Sequence, residues 1–322
     1  MEDNADERQL SLLLDQTLWM SRSMNFADEK LLTGQLQETK DKGKCRRRKS
    51  LSDKSDFPLY WKLNKKGPRE KRNRLLGQLY TVEDDVMSAV EQLVKTTWQQ
   101  QHVGHGKDGV GLSHTGVQVV KVERLENPGL WNQYNHRREM IYHSHGYTYF
   151  RPIVKLPGSS GPVQTTESVP RESPLRRQIY PFEANEHYLF HGTKQENIKN
   201  IMNTGLDSRL TSDKAMLGQG IYFAESPTKA DQYTDNKHQR TSGEKTMVLV
   251  RVVLGNPFIN TSSDPDKFKR PPCKRCFKDL CSCDHPHHFD SVIDDAGRIF
   301  REFVVYDGSM CYPEYFITYN RV

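Results

Sequence analysis

The sequence has no long hydrophobic run: its longest strongly apolar stretch, residues 247–254, is interrupted by Arg251. A transmembrane helix needs roughly 20 consecutive apolar residues, so no membrane span is predicted. The apolar residues 10–14 follow an acidic N-terminus and are too few for the core of a secretory signal peptide. We therefore expect neither a membrane protein nor a secreted one.

Cysteine is scarce outside one short segment. Of six cysteines, four lie within residues 273–283, whereas Cys45 and Cys311 stand alone. Without an export signal, this distribution indicates a metal site in a reducing compartment and not a disulfide framework. Four thiolates with nearby imidazoles suit tetrahedral Zn²⁺, and four protein ligands leave no open position for catalysis. We expect a structural zinc site formed by Cys273, Cys276, Cys281, Cys283 and His285. The pattern leaves open which histidine, if any, replaces a cysteine, and a reduced loop without metal is the alternative.

Positive charge is concentrated near the N-terminus. The first 80 residues hold 18 Lys and Arg against 12 Asp and Glu, whereas residues 81–322 hold 29 of each. Because these basic runs offer few apolar side chains to offset chain entropy, residues 1–80 are predicted to be mostly disordered. The segment 40–74 is a candidate nucleic-acid contact or nuclear localisation signal, and a solvated linker is the alternative. A nuclear location is expected, with a cytoplasmic one as the alternative.

The hydrophobic pattern of folded structure begins after residue 80. Apolar residues recur with helical spacing over 86–98, a strand is predicted over 117–123, and Asn127-Pro128 predicts the start of a second helix. Residues 156–178, rich in Pro, Gly, Ser and Thr, are predicted to be a loop or linker. We interpret residues 81–180 as a helix and strand–helix entry region followed by this linker.

The C-terminal part contains short strands separated by loops and a few helices. Strands are predicted over 188–190, 220–224, 246–254, 303–306 and 315–319, and helices over 195–202 and from 227 to 233. Because strands and helices do not alternate regularly, the predicted fold class is α+β and not a doubly wound sheet.

The common nucleotide-binding loops are missing: no Gly-x-Gly-x-x-Gly follows a strand, and there is no Walker lysine loop. Three segments instead occur in order, with the sequences FHGT (190–193), GQGIYFAE (218–225) and REFVVYD (301–307), and CYPEYFITY follows at 311–319. Together they resemble the catalytic domain of the poly(ADP-ribose) polymerase family, the diphtheria-toxin-like ADP-ribosyltransferases. The resemblance implies an α+β fold of two packed mixed or antiparallel sheets with flanking short helices. It places the catalytic domain at 181–322, with the cysteine-rich segment 273–288 as an insertion.

The resemblance implies that NAD is the co-substrate and that His191, Tyr222 and Glu302 form a catalytic triad. His191 would bind ribose hydroxyls, and Gly192 would present its backbone to the nicotinamide carboxamide. Glu302 would bind the ribose 2′-hydroxyl and stabilise the oxocarbenium character that develops as the glycosidic bond breaks. Two tyrosines would enclose the nicotinamide ring, and the residues expected to contact NAD are His191, Gly192, Thr193, Tyr222, Phe223, Ala230 and Tyr233.

The sequence departs from the family pattern at one position, because Ala230 stands where many members carry a serine that contacts the carboxamide. Residues 207–219 are expected to close over the donor. The segment between Ile141 and Phe182 is too short for the large autoinhibitory helical domain of some members. A chain that begins near Gln78 is expected to keep the full activity.

Glutamate at position 302 is what chain-elongating members carry, although some mono-transferring members retain it. The expected function is therefore NAD-dependent transfer of ADP-ribose to protein acceptors with release of nicotinamide, including poly(ADP-ribose) synthesis. Two alternatives are mono-ADP-ribosyl transfer and a catalytically inactive module that binds nucleic acid or a partner on the same fold.

Overall fold

The computed structural model describes residues 57–65, 77–144, 161–179, 184–212, 214–284 and 287–322. The helices in these ranges are α1 (Asp84–Thr97), α2 (Pro128–Ser144), α3 (Gln164–Ser168), α4 (Ile198–Thr204) and α5 (Pro227–Asp231). The strands are β1 (Gln78–Thr81), β2 (Val117–Glu126), β3 (Glu186–Gly192), β4 (Ile221–Ala224), β5 (Lys245–Val253), β6 (Pro257–Asn260), β7 (Ser291–Asp294), β8 (Glu302–Val305) and β9 (Cys311–Arg321). Short 3₁₀ turns lie at Lys62–Lys65, Gln100–His102, Gln195–Asn197, Ser208–Leu210 and Gly308–Met310. Across the described ranges, no helix has the length and apolar character needed to cross a membrane.

The nine described strands form one sheet in the order β1-β2-β9-β5-β3-β4-β8-β7-β6. Strands β3 and β5 pair along the whole of Glu186–Gly192, but β3 and β4 are joined only through Phe190 and Ala224. The sheet therefore has a five-stranded half and a four-stranded half that meet at a narrow junction. The predicted α+β class is confirmed, and the two expected sheets are the two halves of one continuous sheet.

The core is centred on β5, which is buried at every position. Val248, Val250 and Val252 belong to the hydrophobic cluster on one face, whereas Met247 and Leu249 belong to the cluster on the other. A strand covered on both faces has a continuous apolar sequence, which is why this strand was predictable from its composition. The predicted strand over 246–254 therefore matches β5 closely.

Two charged residues lie within this buried strand: Lys245 at its first position and Arg251 in its interior. The Arg251 guanidinium donates to Glu314 and lies 3.3 Å from Glu186 Oε1, and its second terminal nitrogen donates to the Tyr60 hydroxyl at 2.7 Å. A buried cation is tolerated only where carboxylates and hydrogen-bond acceptors surround it, and Arg251 has both. The network thus ties a residue of the N-terminal region to the central strand.

Residues 57–65, within the segment predicted to be mostly disordered, belong to the folded structure. Trp61 is fully buried and stacks on Phe57 at a centroid distance of 5.5 Å. The Lys62 and Leu63 amides donate to the two carboxylate oxygens of Glu126, at 2.6 and 2.8 Å. Burial of the aromatic ring and the backbone hydrogen bonds to the Glu126 carboxylate therefore order this segment, although charged residues flank it. Residues 1–56 and 66–76, with most of the basic segment 40–74, lie outside the described residues.

Where the structure describes it, the segment 156–178, predicted to be a loop or linker, contains one short helix and packs against the fold. Val163 and Leu175 are buried, and α3 packs between α1 and β3. The Thr165 hydroxyl donates to the Tyr188 carbonyl at 2.5 Å, and Thr166 Oγ1 lies 2.6 Å from His187 Nδ1. Hydrogen bonding of these hydroxyls makes burial of a polar sequence possible.

The entry region matches its prediction. Helix α1 buries Val86, Val90 and Leu93 on one face. At the start of α2, the Asn127 side-chain oxygen accepts a hydrogen bond from the Leu130 amide at 3.2 Å, which is an N-cap of the predicted kind.

Candidate functional site

The predicted triad lies on three neighbouring elements of the sheet. His191 is near the end of β3, Tyr222 lies on β4, and Glu302 is the first residue of β8. Register places Ala224 opposite Phe190 on one side and opposite Glu302 on the other, so the short strand β4 connects the two outer triad strands. The narrow junction of the sheet is thus the place where the three predicted residues come together.

His191 is held in one tautomer. Its Nδ1 lies 2.9 Å from the Tyr222 carbonyl oxygen, and because a carbonyl can only accept, Nδ1 must carry the proton. Burial lowers the pKa of His191, and the Tyr222 carbonyl opposes this shift only in part. The neutral ring therefore presents Nε2 as a hydrogen-bond acceptor.

Tyr222 is fixed by the loop that precedes β4. Its hydroxyl accepts from the Leu217 amide at 2.8 Å and donates to the Gly218 carbonyl at 2.9 Å. Burial raises its pKa well above the usual tyrosine value, so the phenol stays protonated. With the hydroxyl occupied, the face of the ring is the part available for contact with a planar ligand.

Glu302 forms an ion pair that was not predicted from the sequence. Its Oε1 lies 2.9 Å from Lys229 Nζ on α5, and both side chains are largely shielded from solvent. Lys229 also donates to the Tyr233 hydroxyl at 3.0 Å. Burial lowers the pKa of Lys229, but Glu302 and the Tyr233 hydroxyl more than offset this, so the ammonium stays charged.

Tyr233 lies beside this pair and is 40 % exposed. The Lys229 ammonium is 5.0 Å from the centre of its ring, within the range of a cation–π contact. Its hydroxyl donates to Asp108 Oδ2 at 2.7 Å. The exposed ring and the partly exposed Tyr222 are the two aromatic side chains that the resemblance assigned to the nicotinamide ring.

Gly192 is required by packing as well as by its expected contact with a ligand. A Cβ at this position would lie 1.8 Å from the Ala230 carbonyl oxygen, because α5 crosses directly over the end of β3. No side chain fits such an approach of two backbones. Ala230 itself is buried in the core cluster that contains Met247 and Leu249.

Two other predicted contact residues have roles within the protein. Phe223 is 2 % exposed and lies in the core, with its ring centre 5.7 Å from that of His191. Thr193 is buried, and its hydroxyl accepts from the Asn197 side-chain amide at 3.1 Å. Their observed contacts support His191 and the turn after β3, and a direct contact with NAD stays a prediction for both.

The loop 207–219, predicted to close over the donor, is held by backbone hydrogen bonds to Phe268 where it reaches β4. Gly218 has φ +82° and forms a parallel bridge with Phe268. The Phe268 amide donates to the Leu217 carbonyl at 3.2 Å, and the Gln219 amide donates to the Phe268 carbonyl at 3.1 Å. Since Leu217 and Gly218 also hold the Tyr222 hydroxyl, this brace fixes one wall of the site.

The cysteine cluster consists of Cys273, Cys276, Cys281 and Cys283. Their sulfur atoms all lie within 4.8 Å of one another, and Cys273 is buried whereas the other three are half-buried. Four sulfurs bonded to one tetrahedral zinc at about 2.3 Å would be separated by less than this limit, so the donor set fits Zn²⁺. The backbone turns tightly here, with the Phe277 amide donating to the Cys273 carbonyl at 2.9 Å and Phe277 at φ +59°. The fifth predicted ligand, His285, lies outside the described residues.

Lys229 and Asp108 are the residues that sequence reasoning missed. Lys229 was visible only as the neighbour of the variant Ala230, and its pairing with Glu302 depends on a contact across 73 positions of the chain. Asp108 lies in a glycine-rich loop without hydrophobic periodicity, and its contact with Tyr233 is likewise remote in sequence. Neither residue could have been identified from local pattern alone.

Comparison with known proteins agrees with this geometry. The family described as poly(ADP-ribose) polymerase catalytic domain matches residues 88–321, and the chain belongs to that family. The match includes the triad, Lys229, Asp108 and the cysteine cluster.

Several curated relatives are named as protein mono-ADP-ribosyltransferases. The "Protein mono-ADP-ribosyltransferase PARP11" of Mus musculus is 31 % identical over 167 residues, which are 47 % of this chain and 47 % of the relative. The "Protein mono-ADP-ribosyltransferase PARP12" of Mus musculus is 25 % identical over 207 residues, 63 % of this chain and 22 % of the relative. The human "Protein mono-ADP-ribosyltransferase PARP14" is 23 % identical over 204 residues, 63 % of this chain and 9 % of the relative. The aligned part is thus less than half the length of each of these relatives.

Proposed function

We propose that this protein is a mono-ADP-ribosyltransferase, which takes ADP-ribose from NAD, transfers it to a protein acceptor and releases nicotinamide. The observation that carries the proposal is the Glu302 carboxylate, paired with Lys229 at 2.9 Å at the junction that also holds His191 and Tyr222. Family membership supports the reaction class. The names of the relatives favour a single transfer over the polymer synthesis that the glutamate alone had suggested.

Each residue has a role that its observed geometry permits. His191 Nε2 accepts a hydrogen bond from a ribose hydroxyl, because Nδ1 is committed to the Tyr222 carbonyl. The rings of Tyr222 and Tyr233 offer apolar faces to the nicotinamide. Glu302 accepts a second ribose hydroxyl and stabilises positive charge as the bond between ribose and nicotinamide breaks. Lys229 holds this carboxylate in place.

The alternative of a catalytically inactive binding module is less well supported. His191, Tyr222 and Glu302 are all present, and Glu302 has an ordered cationic partner. We also propose, from charge alone, that the basic segment 40–74 contacts nucleic acid and that the protein has a nuclear location.

We also propose that the cysteine cluster binds one structural Zn²⁺. The support is the convergence of four thiols from an eleven-residue segment into one donor set of tetrahedral size. Zinc bound there would hold the loop between β6 and β7, which carries Phe268 and hence the brace on Gly218. Its role is to stabilise the fold, and no step of the transfer depends on it.

Incubation of the full chain with NAD labelled in the adenylate, followed by denaturing electrophoresis, tests the transferase proposal. A discrete labelled band, with nicotinamide released in parallel, is the expected result. A ladder of labelled products would show that the protein synthesises a polymer and would contradict single transfer. The absence of both label and nicotinamide would favour the inactive binding module.

A further inference from the structure

The loop 98–116, which connects α1 to β2, is held beside the proposed active site by hydrogen bonds. The Gln232 side chain donates to the His105 carbonyl at 3.3 Å, and Arg240 donates to the carbonyls of Asp108 and Val110. Inside the loop, a Cβ at Gly109 would lie 2.5 Å from the His105 carbonyl oxygen, so the turn is tightly closed. These contacts fix the backbone at Asp108 relative to α5 and the segment that follows it.

The Asp108 carboxylate is directed at the groups that surround Glu302. It accepts from the Tyr233 hydroxyl at 2.7 Å, lies 3.1 Å from Lys237 Nζ, and lies 3.9 Å from Lys229 Nζ. Lys229 in turn contacts Glu302 at 2.9 Å. Two lysines and two carboxylates therefore balance in charge around the Tyr233 hydroxyl, and the Asp108 side chain is about one third exposed on this surface.

We propose that Asp108 determines acceptor specificity: its carboxylate disfavours an ADP-ribose unit as the acceptor and so limits the reaction to one transfer onto protein. This inference rests on the proposed function. Its basis is the direct placement of a partly exposed carboxylate against the cation that contacts Glu302. Asp108 touches neither the donor nor the reacting atoms in this assignment, so it is a specificity residue and not a catalytic one.

The chemistry of the two acceptors differs in charge. In either case the acceptor oxygen forms a bond to the donor ribose carbon, its proton passes to Glu302, and nicotinamide leaves with the electrons of the broken carbon–nitrogen bond. Lengthening the product, however, requires a ribose hydroxyl of the ADP-ribose already attached, and that unit brings a diphosphate with two negative charges. A diphosphate needs cations that are not already neutralised. Lys229 shares its charge with Glu302 and Asp108, so this surface discriminates against the diphosphate.

Replacement of Asp108 by asparagine tests the proposal in the full chain. Asp108→Asn keeps an oxygen that can accept from the Tyr233 hydroxyl but removes the negative charge. Asp266→Asn is the matched control, because Asp266 is an exposed aspartate in the segment between β6 and the cysteine cluster and is not an ion-pair partner of Lys229. Each chain is incubated with adenylate-labelled NAD, and three quantities are measured: the size of the labelled products, the rate of nicotinamide release and the melting temperature.

The expected result is a single addition for the unmodified chain and for Asp108→Asn a ladder, with nicotinamide released at least as fast. A single addition by Asp108→Asn at an unchanged rate would overturn the proposal. Loss of label and of nicotinamide release in Asp108→Asn at an unchanged melting temperature would also overturn it, since Asp108 would then support the transfer itself. If the melting temperature falls, Asp108→Ser provides a smaller neutral side chain, and single addition by that variant would be decisive against the proposal. Absence of nicotinamide release from all chains, by contrast, would refute the proposed function and this inference with it.

Discussion

A chain shortened to begin at Gln78 would lose Trp61, whose ring is fully buried between Phe57 and the cluster formed by Trp131 and Tyr312. Truncation of a buried tryptophan to alanine costs about 3–5 kcal/mol, which includes the cavity left behind. The shortened chain would also leave Glu126 without the Lys62 and Leu63 amides, and the loss of partners for a buried carboxylate adds to that cost.

This loss is large beside the roughly 5–15 kcal/mol that stabilises an ordinary domain. At roughly 2–4 °C per kcal/mol for a domain of this size, the melting temperature should fall by about 6–20 °C. The activity of the chain that begins at Gln78 should fall with it, contrary to the expectation drawn from the sequence.

The assay compares three chains by thermal unfolding and by nicotinamide release: the full chain, one that begins at residue 56 and one that begins at Gln78. The chain that begins at residue 56 retains 57–65 and should match the full chain in melting temperature. Equal melting temperatures for all three would refute the conclusion that this segment is part of the core. A low melting temperature for the chain that begins at residue 56 would instead show that residues 1–55 contribute to stability.

Three further predictions address the metal, the pH dependence and the site. Purified protein should contain about one Zn²⁺ per chain and melt at a lower temperature after chelation, and metal-free protein with unchanged melting would contradict the proposed site. Burial, with smaller contributions from Arg176 and Arg301, lowers the pKa of His187 from 6.5 to about 3, so below pH 6.5 the unfolded chain binds a proton that the folded chain does not. Stability should therefore fall as pH decreases through this window, by about 1.4 kcal/mol per pH unit, and His187→Gln should flatten the slope of melting temperature against pH. Gly192→Ala should lower both the melting temperature and the affinity for NAD, because its Cβ would lie 1.8 Å from the Ala230 carbonyl oxygen; Gly116→Ala, whose Cβ would have its nearest neighbour at 3.8 Å, should change neither.

The parts of the fold that were predictable are those in which residues close in sequence determine the secondary structure and the buried face. Strand β5 is a largely apolar run, interrupted by Arg251, because both of its faces are covered, and α1 shows its buried face through helical spacing. The three residues of the predicted triad each lie in a short motif on a strand, near the end of β3, on β4 and at the start of β8. Each of these signals is local.

The parts that were not predictable depend on partners far away in the chain. Residues 57–65 lie between highly charged segments, and their order depends on remote contacts with Glu126 and with the buried ion-pair network of Arg251. Residues 161–179 are polar in sequence, and their burial depends on hydroxyl groups that find acceptors on β3. The role proposed for Asp108 likewise depends on its contacts with Tyr233 and Lys229, which are remote in sequence.

The proposed role of Glu302 is tested by the rates at which the full chain and its Glu302→Gln variant transfer labelled ADP-ribose from NAD. Glutamine keeps the shape of the side chain but removes the charge that pairs with Lys229 and stabilises the developing cation. We predict that the full chain becomes labelled and that Glu302→Gln is slower by roughly 10²–10³-fold, the loss typical for removal of one such electrostatic group. Labelling by the variant at the rate of the full chain would contradict the assignment of Glu302 as the residue that stabilises the transition state.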